Sequence, residues 1–152
     1  MVRCFRRKTG PNDRGAEAVE FVLVVPVFLL LVFGVVDFGW MINHDTMVNN
    51  ASREGARLGA LDPVTADITA TVLQDSGTLD PSKITVGITC LNPPVLPSSI
   101  GTPCAGTFPQ NATSGGTVIV TVNYRHSWIT PVGSTIMPGG MTLSRTSEMR
   151  IE

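Results

Sequence analysis

Directly before a long apolar run, residues 14–21 read Arg14-Gly15-Ala16-Glu17-Ala18-Val19-Glu20-Phe21. From Phe21 to Ile42 the only charged residue is Asp37. As a helix this run would be roughly 33 Å long at the standard rise per residue. The hydrocarbon core of a bilayer is about 30 Å thick. The sequence therefore predicts one membrane-spanning helix, which we place at residues 16–42.

Basic residues cluster in front of this helix. Residues 1–15 carry five Lys or Arg and one Asp, whereas residues 16–152 carry six Lys or Arg and eleven Asp or Glu. An excess of basic residues beside a membrane segment marks its cytoplasmic end. We therefore predict a cytoplasmic leader over residues 1–15 and an extracytoplasmic domain over residues 43–152. Because no second basic cluster follows, the charge indicates topology and not a nucleic-acid partner.

Gly15, the small residue at the candidate cleavage site, precedes the apolar run, whereas a secretory signal peptide has its cleavage site after the run. Cleavage after Gly15 would remove the leader and leave the helix on the mature chain. Glu20 lies at the membrane boundary, where an unpaired charge is costly and usually functional. The alternatives are an ordinary leader glycine and a headgroup-level glutamate without a partner. For Asp37 we expect an interfacial charge beside Trp40.

The exported part contains signals for both helix and strand. Residues 43–61 continue the helix and present small side chains on one face. The helix should end at Asp62-Pro63, because the residue before a proline avoids helical geometry. A second helix is predicted over Val64–Gln74. Three strands follow, rich in β-branched residues: Lys83–Leu91, Thr117–Tyr124 and Met141–Ile151. We expect a long loop over residues 92–116 and a plain connection over Pro131–Gly140.

These elements define the fold class as α+β. We expect a long N-terminal helix, membrane-spanning in its first half, packed on a small antiparallel sheet of about three strands. In an oxidising compartment the exported Cys90 and Cys104 would form a disulfide. It would close a loop of about 15 residues and contribute roughly 3 kcal/mol on the chain-entropy account. Two free thiols remain the alternative.

No catalytic constellation is visible in the chain. His44 and His126 are the only histidines and lie far apart in sequence, whereas a metal site needs several ligands at matched spacing. We expect each to be a surface or structural histidine. No phosphate-binding loop, nucleophile elbow or paired-carboxylate motif occurs. The sequence predicts no enzyme activity, no catalytic or metal site and no cofactor.

The N-terminal motifs resemble the TadE-like family of minor pilins, or pseudopilins, of bacterial tight-adherence (Tad/Flp) pilus systems. The resemblance covers about residues 14–60 and is weaker at residues 147–152. The motifs that carry it are Arg14-Gly15, Val19-Glu20-Phe21, Pro26, Phe33-Gly34, Asp37-Phe38-Gly39 and Ala51-Ser52-Arg53-Glu54-Gly55-Ala56-Arg57.

The resemblance implies a pilin-like subunit that helps to initiate or assemble an adhesion pilus. A prepilin peptidase would cut between Gly15 and Ala16. Glu20, followed by Phe21, would then act in assembly by pairing with the free amine of a neighbouring subunit. The implied partners are that peptidase, other pilins and pseudopilins, the inner-membrane assembly platform and membrane lipid. The alternatives are an uncleaved, signal-anchored binding domain and, less favoured, a membrane-anchored enzyme.

Overall fold

A computed structural model describes residues 13–61, 65–94, 101–106, 108–109 and 112–152. Helix α1 runs from Asp13 to Leu61 and continues through Pro26 without interruption. The predicted leader, residues 1–15, lies almost entirely outside the described residues, as does the expected stop at Asp62-Pro63. The described part of α1 reaches Leu61, the residue before that predicted stop.

Most of the first half of α1 is left uncovered by the rest of the described chain. Residues 15–36 are exposed except for Val25 and Phe33, which are half-buried. Among the described residues, α1 is the one helix long and apolar enough to cross a membrane. An apolar surface of this size is stable only when lipid or other protein covers it. The second half of α1, from Asp37 onward, carries the rest of the fold.

The sheet has three antiparallel strands in the order β1-β2-β3. These are β1 (Ile84–Leu91), β2 (Thr117–His126) and β3 (Met141–Arg150). Ile84 pairs with Tyr124 across the first ladder, and His126 pairs with Met141 across the second. This confirms the predicted α+β class, a long N-terminal helix packed on a three-stranded antiparallel sheet.

The core forms where β2 crosses the small-residue face of α1. Alternate residues of β2 are buried, because a strand presents every second side chain to the same face. Helix α2 (Thr65–Asp75) closes the other side with Ile68 and Val72. Gly55 lies at the crossing: a Cβ atom there would be 3.3 Å from Val120 Cγ1 and closer still to Val72. Glycine therefore sets how near the helix and sheet can approach.

Two polar contacts explain why β3 alternates imperfectly. Arg145 donates a bidentate pair of hydrogen bonds to the Asp45 carboxylate of α1, with Nε to Oδ1 at 2.9 Å. The hydroxyls of Ser147 and Ser52 lie 2.9 Å apart. Polar side chains therefore occupy inward positions of the strand because they meet polar partners on α1.

The loop after β1 folds back along the strand end. Asn92 N donates to Thr102 O at 2.8 Å, and Cys104 N donates to Cys90 O at 3.0 Å. This brings the two cysteines together, with Cα atoms 5.5 Å apart and sulfur atoms at bonding distance. The long loop therefore returns to the sheet edge at the cysteine pair.

The connection from β2 to β3 lies where the sequence places it, over Pro131–Gly140, and it has structure of its own. It contains a short helix, α3 (Pro131–Ile136). Thr130 caps it by accepting a hydrogen bond from Gly133 N, and a proline occupies the first turn, where its missing N–H costs nothing. This Thr-Pro pair is a helix-start signal that sequence analysis could have used.

Candidate assembly site and helix–domain junction

The residues predicted to act in processing and assembly lie together at the start of α1. Gly15, Ala16, Glu20 and Phe21 are all exposed, with 68% of the Phe21 surface accessible. Apart from the neighbouring backbone of α1, no described atom lies within 4 Å of the position that a Cβ on Gly15 would occupy. The stretch is thus open to another protein from all sides.

Glu20 has no cationic partner within the part of the chain that the structure describes. It borders a shallow, open depression with Glu17, Phe21 and Val24. A carboxylate beside bare apolar surface is unfavourable once that surface enters lipid or protein. A cation supplied by a neighbouring molecule would remove that cost.

A second polar site joins α1 to the rest of the α+β domain and is centred on Asp37. Its Oδ1 accepts hydrogen bonds from the main-chain N–H groups of Ile129 and Thr130, both at 3.1 Å. Its Oδ2 accepts a hydrogen bond from Thr130 Oγ1 at 2.5 Å. Only 5% of the Asp37 surface is exposed. The expected interfacial charge is therefore wrong: Asp37 is a buried tether that holds the β2–β3 connection against α1.

Two histidines meet about two turns beyond Asp37, where α1 carries His44. His44 Nδ1 lies 3.0 Å from His126 Nδ1, so one ring donates and the other accepts. Both are buried, with His126 only 1% exposed, and the Nε2 of His126 has no hydrogen-bond partner. The rings of Trp40, Tyr124 and Trp128 surround the pair at centroid distances of 5.1–5.4 Å.

The buried, aromatic environment of His44 and His126 favours the neutral form of both imidazole rings. Burial lowers the pKa of His44, and the nearby His126 and Lys83 lower it further. Burial also lowers the pKa of His126, although the Asp37 carboxylate acts in the opposite direction. Two protonated rings could not share the Nδ1–Nδ1 hydrogen bond, since both nitrogens would be donors. The histidines are therefore structural, as expected, but they are not on the surface.

Sequence analysis missed the junction because its members are distant along the chain. Asp37 and Thr130 are separated by 93 positions, and the two histidines by 82. No group of three or more His, Cys, Asp or Glu that could hold a metal ion occurs among the described residues. The described polar clusters at Asp37 and at His44 connect α1 to the β2–β3 connection and to the end of β2.

The chain thus belongs to the class of proteins in which a long N-terminal helix has an exposed apolar first half and packs against a small α+β domain through its second half. Residues 15–57 match the family model described as TadE-like protein. This match confirms the resemblance over that segment, which contains Glu20, Asp37 and His44, and it indicates a protein associated with Tad pili. No curated protein matches the chain, and no solved structure does.

Proposed function

We propose that this protein is a minor pilin-like structural subunit, or an assembly factor, of a Tad/Flp-type adhesion pilus. One observation carries the proposal: the TadE-like match, residues 15–57, includes Glu20 and the exposed apolar stretch of α1 that follows it. Minor subunits of such fibres need an apolar helix that other helices can cover. The role is structural and not catalytic.

Processing is the first step of the proposed role. A prepilin peptidase would cut between Gly15 and Ala16, which removes the basic leader and makes Glu20 the fifth residue of the mature chain. Gly15 suits such a site because it has no side chain and open space around it. The apolar helix stays on the mature protein and holds it in the membrane.

Assembly is the second step. The carboxylate of Glu20 would pair with the new amino group of Ala16 on a neighbouring subunit. A buried charge pair contributes little net stability, but it fixes the register of two helices because any other register leaves both charges unpaired. Phe21, next to Glu20, would pack against the same neighbour. The other partners are pilins and pseudopilins of the same system and the inner-membrane assembly platform.

The proposed topology has one membrane crossing within residues 16–42, a cytoplasmic N-terminus and an extracytoplasmic domain over residues 43–152. In that compartment Cys90 and Cys104 would be oxidised, which their proximity supports. Mass spectrometry of the unreduced native protein would then find one linked peptide pair. Free thiols at both positions would contradict the oxidised state.

The decisive experiment replaces Glu20 in the native host and scores leader removal and piliation separately. For Glu20→Ala we expect normal insertion and cleavage but few or no surface pili. Glu17→Ala is the matched control, since Glu17 is an equally exposed glutamate one turn earlier in α1. It should leave piliation unchanged. Normal piliation by the processed Glu20→Ala protein would rule out the pairing mechanism.

Two other functions would give different results. An uncleaved, signal-anchored binding domain would keep its leader, so N-terminal sequencing of the native protein would not begin at Ala16. A membrane-anchored enzyme would need a convergent polar cluster open to a substrate. The described polar clusters at Asp37 and at His44 are instead buried, and the members of each cluster hydrogen-bond to one another.

A further inference from the structure

The β2–β3 connection, residues 127–140, has an unusual surface for a segment of an exported domain. It contains no charged residue. Three of its apolar side chains are exposed: Ile136 by 71%, Ile129 by 55% and Met137 by 42%. Apolar side chains gathered on one short segment mark a surface that contacts lipid or protein.

The connection lies beside the apolar half of α1. Asp37 holds Ile129 and Thr130, and α3 packs along the helix below that point. A groove of about 270 Å³ separates α1 from α3. Its lining is apolar apart from Asp37, with Leu30, Gly34 and Phe38 on α1 facing Val132 and Ile136. The connection thus extends toward the membrane segment and not away from it.

The length of the bare helix decides where the membrane surface lies. Residues 21–36, between Glu20 and the buried Asp37, are about 24 Å long at the standard helical rise. The hydrocarbon core is about 30 Å thick and needs about 20 residues of helix. If Glu20 stays at the cytoplasmic boundary, the apolar layer reaches about as far as Trp40. The segment packed on Leu30–Phe38 then lies inside that layer.

The border of the connection has the composition of a membrane interface. Trp40 and Trp128 stand beside the histidine pair, at the level where tryptophan is enriched in membrane proteins. Lys83 and Arg125 line a cavity with Ser134 at the edge of the connection, and Arg125 Nε donates to Gly139 O at 3.2 Å. Two cations at this level would meet lipid phosphates.

We propose that the β2–β3 connection inserts into the extracytoplasmic leaflet and is a second membrane contact of this chain. Ile129, Ile136 and Met137 enter the acyl region, and Lys83 and Arg125 face the phosphates. An acyl chain fills the groove between α1 and α3. The Asp37 carboxylate is tolerated at this depth because Ile129 and Thr130 cover it and donate to it. The proposal requires that α1 crosses the membrane, but it requires neither cleavage nor fibre assembly.

The test uses the full-length chain in vesicles of phosphatidylethanolamine and phosphatidylglycerol that contain a diazirine-bearing phospholipid with the reactive group in mid-acyl chain. Trypsin then separates three informative peptides, residues 15–53, 84–125 and 126–145. We expect label on residues 15–53 and 126–145 but not on the strands and loop of residues 84–125. Within residues 126–145 the label should lie between Ile129 and Met137.

A pair of variants gives the matched control. Ile136→Asp should reduce the labelling of residues 126–145 at least about tenfold, because an aspartate is excluded from the apolar layer. Ile136→Leu should retain it. Neither change touches the buried core, since Ile136 is largely exposed in the protein alone, and circular dichroism would verify that both variants are folded.

Label confined to residues 15–53 would overturn the proposal. A second copy of the chain over the connection would give that same labelling together with a dimer captured by an added bifunctional crosslinker, and it would also overturn the proposal. Absence of label from all three peptides would refute the membrane crossing itself. The cleavage and piliation assays on Glu20 are independent of these outcomes, so the two proposals can fail separately.

Discussion

Removal of the Asp37 carboxylate should detach the β2–β3 connection from α1. Asp37→Ala eliminates three accepted hydrogen bonds and leaves the N–H groups of Ile129 and Thr130 without an acceptor. A hydrogen bond to a charged group contributes about 1.5–3 kcal/mol, and an unsatisfied buried donor costs a similar amount. Because contributions within one network are not additive, we expect a total of about 3 kcal/mol, roughly a 150-fold change in the local opening equilibrium.

Amide hydrogen exchange on the full-length protein in lipid nanodiscs measures this opening directly, because protected amides exchange through local unfolding. The amides of Ile129 and Thr130 should exchange about 100-fold faster in Asp37→Ala. The amide of Val120, in the middle of the sheet, should be unaffected. Asp37→Asn is the matched control: its carbonyl oxygen still accepts both main-chain N–H groups, so the change should stay within about tenfold.

One result would refute this reasoning. If the Thr130 amide in Asp37→Ala exchanges at the wild-type rate, the carboxylate does not hold the connection. Packing and the hydrogen bond from Trp128 Nε1 to Met137 O at 3.1 Å would then suffice to order it.

Two further predictions concern the packed half of α1. Gly55→Ala should lower the free energy of unfolding by about 1–2 kcal/mol, since overpacking against Val72 outweighs the gain in helix propensity. Gly39→Ala is the control and should not lower it, because apart from the backbone of α1 no described atom lies within 4 Å of the added methyl group. Equal urea unfolding midpoints for the two variants would contradict the argument. Acid should also destabilise the domain. Because the pKa values of His44 and His126 are lowered in the folded protein, the unfolded chain binds more protons than the folded chain at mildly acidic pH. The stability that is present above about pH 6.5 is therefore lost as the pH falls below it, by up to about 1.4 kcal/mol for each pH unit and each histidine. Unfolding measured between pH 7.5 and 5 checks this slope, and a slope that persists unchanged in a His44→Phe, His126→Phe protein would assign it to other groups.

Most of the architecture follows from periodicity. The apolar run and the small-residue face from Ala51 onward predict α1, which begins at Asp13, three residues before the predicted start. Apolar periodicity and the β-branched strands predict α2 and the three strands to within two residues, with Val64 outside the described part of the chain. These signals are local, so they can be read from neighbouring positions. The β2 strand extends to His126 because that side chain is buried beside His44, which a strand rule based on apolar residues does not anticipate.

The junction could not be predicted in the same way. Two of the three hydrogen bonds to Asp37 come from main-chain amides, and every residue except proline carries such a group, so no side-chain pattern identifies these two partners. The His44–His126 contact likewise depends on the sheet register that places the end of β2 beside α1. What the sequence does contain is indirect: a carboxylate within an apolar run needs a partner, and Thr130-Pro131 indicates a helix start in the region opposite.

The junction has a mechanical consequence for assembly. Because Asp37 binds the connection and β2 and β3 pack on the rest of α1, the α+β domain is attached to the helix at several heights and not only through the chain. A displacement of α1 along its axis must then carry the domain with it. If Glu20 fixes the register between neighbouring helices, it also fixes the height of the neighbouring domains. In a fibre, moreover, the apolar surfaces of α1 and of residues 127–140 would leave lipid together. A subunit that enters the fibre therefore needs neighbours that cover both surfaces, whereas one that stays in the membrane has both covered by lipid.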